Sequence, residues 1–268
     1  MRYSAVLLAG VGAGAMLLAV PAWAKTCPPD SVRVGPVCID TYEASVWEIP
    51  ANNKALINKV QEGKATLANL QAGGAIPHGT SSDDYGAGCP DSGNGCTDFY
   101  AVSIPGVLPS VNITWFQAQQ ACGNAGKRLL RNDEWQMAAA GTPDPGAEDD
   151  GTTTCATNSP GTVFTGSRAN CKSRWGVFDM VGNVWERVAD WADLNPNCTD
   201  WTTQTGLAGD DLSCWGGDDG PAFGFERIPA VVTRGGSYIS GTDAGVFAVE
   251  NQDPLTATPN DAGFRCAR

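Results

Sequence analysis

Ten cysteines constrain this 268-residue chain more than any other feature, because all of them fall after residue 24. The segment before them begins basic at Arg2, runs apolar and glycine-rich from Ala5 to Val20, and ends in Ala22-Trp23-Ala24. A basic start, a short apolar stretch and an A-x-A-like cleavage site mark a secretory signal; a membrane-spanning helix would need about 20 apolar residues. Cys27 follows Lys25 and Thr26 rather than the small residues of a lipoprotein signal. The expectation is an exported protein, periplasmic or secreted. It would have a signal peptide at 1–24, one domain at 25–268 and no membrane insertion once the signal is removed. An even number of cysteines in such a chain predicts a disulfide framework. Ten cysteines admit on the order of a thousand full pairings, so the connectivity stays open. Local spacing suggests Cys27–Cys38, Cys89–Cys96, Cys155–Cys171 and Cys198–Cys214, which leaves Cys122 and Cys266 as a long-range pair. A zinc or iron–sulfur centre fits poorly, since no C-x-x-C occurs and the only histidine is His78.

The formal charge of −12, from 29 acidic and 17 basic residues, argues against nucleic acid and anionic membrane surfaces as partners. It is compatible with calcium, which takes hard-oxygen ligands. The 33 glycines, 17 prolines and 9 tryptophans predict many turns pinned by aromatic clusters and disulfides. A strand is expected at Val32–Asp40. One helix is expected from Asn53 to Leu70, with Leu56, Val60, Leu67 and Leu70 on one side. Gly73–Gly95 reads as a surface loop held by Cys89 and Cys96. Thr114–Gly123 reads as a helix capped by Thr114, and Asn132–Ala140 as a second helix capped by Asn132. Later strands are expected at Val181–Val188, Thr233–Ile239, Val246–Glu250 and Gly263–Ala267. There is no internal repeat, and helices early with strands late make the class α+β.

Four segments follow in order: Gly126-Lys127-Arg128-Leu129-Leu130-Arg131-Asn132-Asp133-Glu134-Trp135, Gly176-Val177-Phe178-Asp179-Met180-Val181-Gly182-Asn183-Val184-Trp185-Glu186, Arg234-Gly235-Gly236-Ser237 and Gly263-Phe264-Arg265-Cys266. With Val32-Arg33-Val34 and Asp40-x-Tyr42-Glu43 ahead of them, they make the chain similar to the formylglycine-generating enzyme (sulfatase-modifying factor) family. The resemblance covers about Cys27 to Arg268. It implies a loop-rich C-type-lectin-like α+β single domain, disulfide-stapled, and it supports the Cys122–Cys266 pair. From the residues themselves, Trp135 and Trp185 are expected in the core and Arg128, Arg265, Glu134 and Glu186 in buried ion pairs. Gly235-Gly236 suits positive φ or close backbone approach.

Members of that family oxidise a substrate cysteine with two cysteines that bind copper(I) between the R-G-G-S and G-F-R-C motifs. Here the span Ile239–Glu250 offers no thiol and no imidazole. Ser240, Thr242 and Asp243 are hard-oxygen groups, unsuited to copper(I). Formylglycine-generating activity is therefore not expected, nor copper, nor the histidine-held iron of a sulfoxide-forming relative. The resemblance implies calcium instead, held by the Asp179 side chain and the carbonyls of Gly182 and Val184. A second family calcium site begins near Asn170, but the loop that completes it is shortened here. The scaffold also serves variable ligand-binding proteins that diversify the same C-terminal window. The first reading is thus a non-catalytic module for an unidentified protein, peptide or glycan, with Tyr238, Thr242, Asp243, Phe247, Glu250, Asn251 and Asp253 as ligand-binding residues. The alternative is an oxidoreductase-type enzyme of the family acting on cysteine in target proteins, or another chemistry at the same pocket with Asp243 and Glu250 as acid–base pair. The replacement of the family's W-E-W by Trp185-Glu186-Arg187 alters the pocket locally.

Overall fold

The computed structural model describes residues 26–193, 199–200, 210–214 and 229–268. The expected signal segment 1–24 and Cys198 lie outside the described residues. The first element is a hairpin, β1 (Ser31–Val34) and β2 (Val37–Asp40), paired antiparallel with Val34 opposite Val37. The single strand expected over Val32–Asp40 is thus folded in two at Gly35-Pro36, where proline has no N–H for a ladder. After β3 (Ser45–Glu48) come α1 (Lys54–Gln61) and α2 (Leu67–Ala72), where one helix was expected. The break is physical: Asn53 and Thr66 each cap a separate helix, accepting the N–H of Leu56 and of Asn69 at 3.2 Å. The expected apolar side survives the break, since Leu56, Val60 and Leu70 pack with Trp47, Tyr100 and Val102.

Part of the expected surface loop is β4 (Ile76–His78), which pairs with β3, and β5 (Phe99–Val102) takes β3's other edge. Next, α3 (Trp115–Asn124) starts from Thr114 with a reciprocal capping box, as its sequence suggests. The K-R-L motif forms β6 (Arg128–Leu129), and α4 (Asn132–Ala139) follows. Its N-cap is Arg131 rather than Asn132, because Arg131 is the residue in extended conformation and the Glu134 carboxylate reaches back to its N–H at 3.0 Å.

The remaining strands are β7 (Trp185–Asp193), β8 (Thr199–Asp200), β9 (Leu212–Ser213), β10 (Pro229–Arg234), β11 (Val249–Glu250), β12 (Ala262–Phe264) and β13 (Cys266–Ala267). All four expected late strands change bounds: β11 keeps only Val249–Glu250 of Val246–Glu250, and Gly263–Ala267 divides at Arg265 into β12 and β13. β7 begins only at Trp185 because Gly182 and Asn183 take positive φ, and β10 stops at Arg234 because Gly235 and Gly236 do. Among the described residues, β12-β7-β10-β11-β9-β8 form one sheet and β1-β2-β13-β6 another. The C-terminal segment joins the two sheets, β12 running parallel to β7 and β13 antiparallel to β2 and β6. Four disulfides match the expected pairs: Cys27–Cys38, Cys89–Cys96, Cys155–Cys171 and Cys122–Cys266. Cys214 is disulfide-bonded too, and its expected partner Cys198 lies outside the described residues.

Candidate functional site

The four motifs meet at one buried node. Arg265, wholly buried, donates from Nε to Glu186 at 3.0 Å, from Nη1 to the Asp40 carbonyl at 3.0 Å and from Nη2 to the Phe178 carbonyl at 2.8 Å. Trp135 Nε1 donates to the other side of Glu186 at 2.8 Å, and Arg234 lies over the Trp135 ring at 4.7 Å. Arg128 pairs with Glu134 at 2.6 Å. Trp135 and Trp185 are buried, as is the Arg265–Glu186 pair; the expected Arg128–Glu134 pair forms too, but Arg128 keeps 39% of its side chain exposed, so that pair is not a buried one.

Beside this node lies the loop of the expected calcium ligands. Asp179, Gly182 and Asn183 all have positive φ there. Gly182 cannot be replaced without strain: a Cβ would meet the Ala156 carbonyl oxygen at 2.3 Å. Asp179 is buried and one carboxylate oxygen accepts the Gly166 N–H at 2.7 Å. Burial pushes its pKa up to about 7, with Glu186 adding to the rise against the Gly166 N–H and Arg265. Glu43 joins the loop: its Oε2 accepts from Asn183 Nδ2 at 2.5 Å, and its buried Oε1 has no hydrogen-bond partner. Burial, with Asp179 and Glu186 nearby, raises the Glu43 carboxyl well above its ordinary range. Two buried carboxyls, one with an orphaned oxygen, have the hard-donor chemistry that suits calcium. Glu43 was legible only as part of a strand motif; 140 residues separate it from Asn183, so no local pattern joins them.

The seven expected ligand-binding residues divide by burial. Tyr238 is half-buried and its backbone is fixed on both sides, by the Asn183 carbonyl at 2.9 Å and the Ser159 N–H at 2.7 Å. Thr242 and Asp243 are exposed on a single 3₁₀ turn, Gly241–Asp243, and Phe247 is exposed with its N–H held by Asp211 at 2.7 Å. Glu250, Asn251 and Asp253 are at least half-buried. Glu250 stands opposite Thr233, which stands opposite Arg187, so the three make one row across β11, β10 and β7. Arg187 is fully buried; Nη2 donates to the Ala257 carbonyl at 3.0 Å, while Nε and Nη1 have no hydrogen-bond partner. Burial raises Glu250 to about 7, reinforced by Asp253 and Asp261 and opposed by Arg187. Asn251 Nδ2 donates to the Asp193 carbonyl at 2.7 Å. The change from W-E-W to Trp185-Glu186-Arg187 is what signals this row in the sequence, since it puts a cation where an aromatic is usual. No cysteine lies in the window, and among the described residues no cysteine is free.

Residues 11–268 match the family model described as Sulfatase-modifying factor enzyme 1-like domain. The chain is 27% identical over 185 residues to the Formylglycine-generating enzyme of Thermomonospora curvata, covering 59% of this chain and 55% of that protein. It is 30% identical over 165 residues to the Serine/threonine-protein kinase pkn1 of Chlamydia caviae, covering 60% of this chain and 24% of that one. It therefore spans about a quarter of the kinase's length and about half of the other relative's. Among solved structures, the Major Tropism Determinant U1 variant is similar at a TM-score of 0.46 and 19% identity, over 91% of this chain and 53% of that chain.

Proposed function

This chain belongs to the sulfatase-modifying factor enzyme 1-like family, and from that premise we propose that it is an exported, non-catalytic recognition module without formylglycine-generating activity. The observation that carries this reading is the cysteine-free window from Ile239 to Glu250. Copper(I) needs soft ligands, and Ser240, Thr242 and Asp243 supply hard oxygens. The same window presents an aromatic ring at Phe247 and polar groups at Thr242 and Asp243 on a surface turn, with Tyr238 anchored beside them. Glu250, Asn251 and Asp253 in the same window are at least half-buried. Exposed side chains on a turn whose backbone is tied to rigid neighbours suit a protein, peptide or glycan ligand.

Calcium belongs to the same proposal. The Asp179 carboxylate with the carbonyls of Gly182 and Val184 would hold it, and the free Oε1 of Glu43 supports that donor set. When bound, the ion would add positive charge to that of Arg265 beside these buried carboxyls. It would also brace Asn183, whose carbonyl accepts the Tyr238 N–H.

The test is to incubate the disulfide-intact mature protein with a sulfatase-type cysteine peptide, copper(I) and oxygen. No formylglycine product is expected by mass spectrometry, and clear turnover would overturn the non-catalytic reading. Peptide and glycan arrays then probe recognition. Retention on them should fall in Phe247→Ala and Asp243→Ala, and retention equal to wild type in both variants would remove the window from the proposal.

A further inference from the structure

We propose that a cleft apart from the C-terminal window binds a neutral, hydroxyl-rich ligand of mono- or disaccharide size. The cleft holds about 400 Å³ and is lined by Leu108, Thr152, Thr162, Phe164, Ser167 and Arg168 among others. That volume lies toward the lower end of small-molecule sites, roughly 300–1,000 Å³.

The lining divides as a sugar's surface does. Phe164 leaves 55% of its surface to solvent and lines the cleft with a broad apolar ring. The C–H face of a pyranose can lie flat on such a ring and be dehydrated by it. The cleft is also lined by Thr152, Thr162 and Ser167, whose hydroxyls can each donate and accept. At the base is Arg168, only 4% exposed. Its Nη2 donates to Ser159 Oγ at 2.9 Å, while Nη1 has no hydrogen-bond partner. Nη1 itself is shut off from solvent, so Arg168 acts on the cleft through its charge and not as an open donor.

Charge selects a neutral ligand. Arg168 Nη1 already faces Asp149 Oδ1 at 3.5 Å and Asp150 Oδ1 at 3.8 Å, too long for hydrogen bonds yet close enough to balance its charge. An anionic group would add a third negative charge beside one cation, and a cationic group would oppose Arg168 itself. A neutral polyol meets neither penalty.

The walls are fixed before any ligand arrives. Asp150 Oδ1 accepts the N–H groups of Thr152, Thr153 and Thr154 at 2.7–3.0 Å. The Cys155–Cys171 bridge ties that turn to the segment after Arg168. Across the cleft, Thr165 is locked to the neighbouring turn: its Oγ1 donates to the Ile104 carbonyl and its N–H to the Val107 carbonyl, both at 2.8 Å. Preorganised walls lower the ordering cost that a small, weakly bound ligand could not otherwise offset.

The experiment uses the full disulfide-intact mature chain and a panel of maltose, cellobiose, N,N′-diacetylchitobiose and their sulfated or uronic-acid counterparts, followed by ligand-observed NMR at millimolar sugar. At least one neutral member should show saturation transfer. Its affinity should weaken at least about tenfold in Phe164→Ala, a surface change that spares the core, and measurably in Ser167→Ala. Phe247→Ala should leave it unchanged, which separates this cleft from the window whose own test is array retention. The proposal is overturned if no neutral sugar binds, if only the acidic sugars bind, or if binding persists at full strength in both Phe164→Ala and Ser167→Ala.

Discussion

Arg265 is wholly buried and serves three partners at once, Glu186 and the carbonyls of Asp40 and Phe178. It is also the cation that opposes the carboxyls of Glu43 and Asp179. Arg265→Met keeps much of the volume but strands Glu186. Removing one partner of a buried pair typically costs about 3–5 kcal/mol, and urea denaturation should show a loss of that size. Glu250 behaves differently, because its folded pKa of about 7 exceeds its ordinary 4.5. Between those values the folded state binds more protons than the unfolded state, so stability falls as pH rises through the interval. The cost is absent below the lower value and complete above the higher one. Glu250→Gln should remove it, so the variant gains on wild type in melting temperature at pH 8 relative to pH 4. An identical pH dependence in the two proteins would contradict the burial of this carboxyl. The residue types in both cases are plain in the sequence, but their partners are not: Arg265 and Glu186 are 79 positions apart.

Among the elements, α3 and α4 show how far local chemistry reaches. Thr114 Oγ1 accepts the Gln117 N–H at 3.1 Å, and Gln117 Oε1 accepts the Thr114 N–H at 2.8 Å. The same hydroxyl donates to the Asp91 carbonyl at 2.7 Å. Thr114→Ala should cost about 1–2 kcal/mol, measured by thermal or denaturant unfolding. At α4 the cap is Arg131, and the Asn132 side-chain oxygen has no hydrogen-bond partner. Asn132→Ala should therefore be nearly neutral, within roughly 0.5 kcal/mol, since alanine is also the better helix former. A loss near 1 kcal/mol would restore Asn132 as the cap. Both residues look like caps in sequence. What separates them is which backbone is extended at the helix entry, and that depends on how β6 is held by β13.

For the molecule as a whole, the Cys122–Cys266 bridge has the widest reach, spanning 144 positions and tying α3 to the last strand. In the chain-entropy model, closing so long a loop stabilises by about 5 kcal/mol. The double variant Cys122→Ala/Cys266→Ala should lose stability on that scale, or fail to fold at 37 °C. Calcium should act on the whole molecule as well. Ion binding to the folded state alone adds about 2.7 kcal/mol at one hundred times Kd. Calcium should raise the melting temperature of wild type and leave Asp179→Ala unmoved; no shift in wild type would remove calcium from the proposal.

Local chemistry settled a good part of this protein within the sequence itself. Cysteine spacing anticipated the three short-range bridges found among the described residues, and the G-K-R-L, G-N-x-W-E, R-G-G-S and G-F-R-C segments carried the family. The absence of thiols between Ile239 and Glu250 is likewise a matter of sequence alone. Tertiary structure decided what depends on distant groups meeting in a low-dielectric interior. It brought Glu43 to Asn183, aligned Glu250 with Arg187 through Thr233, and divided the seven window residues between exposed positions and ones at least half-buried. It also shaped the cleft at Phe164 and Arg168 from three separate turns. Burial, and the cost of leaving a buried charge or donor unpaired, belongs to the packed molecule, and no stretch of sequence carries it.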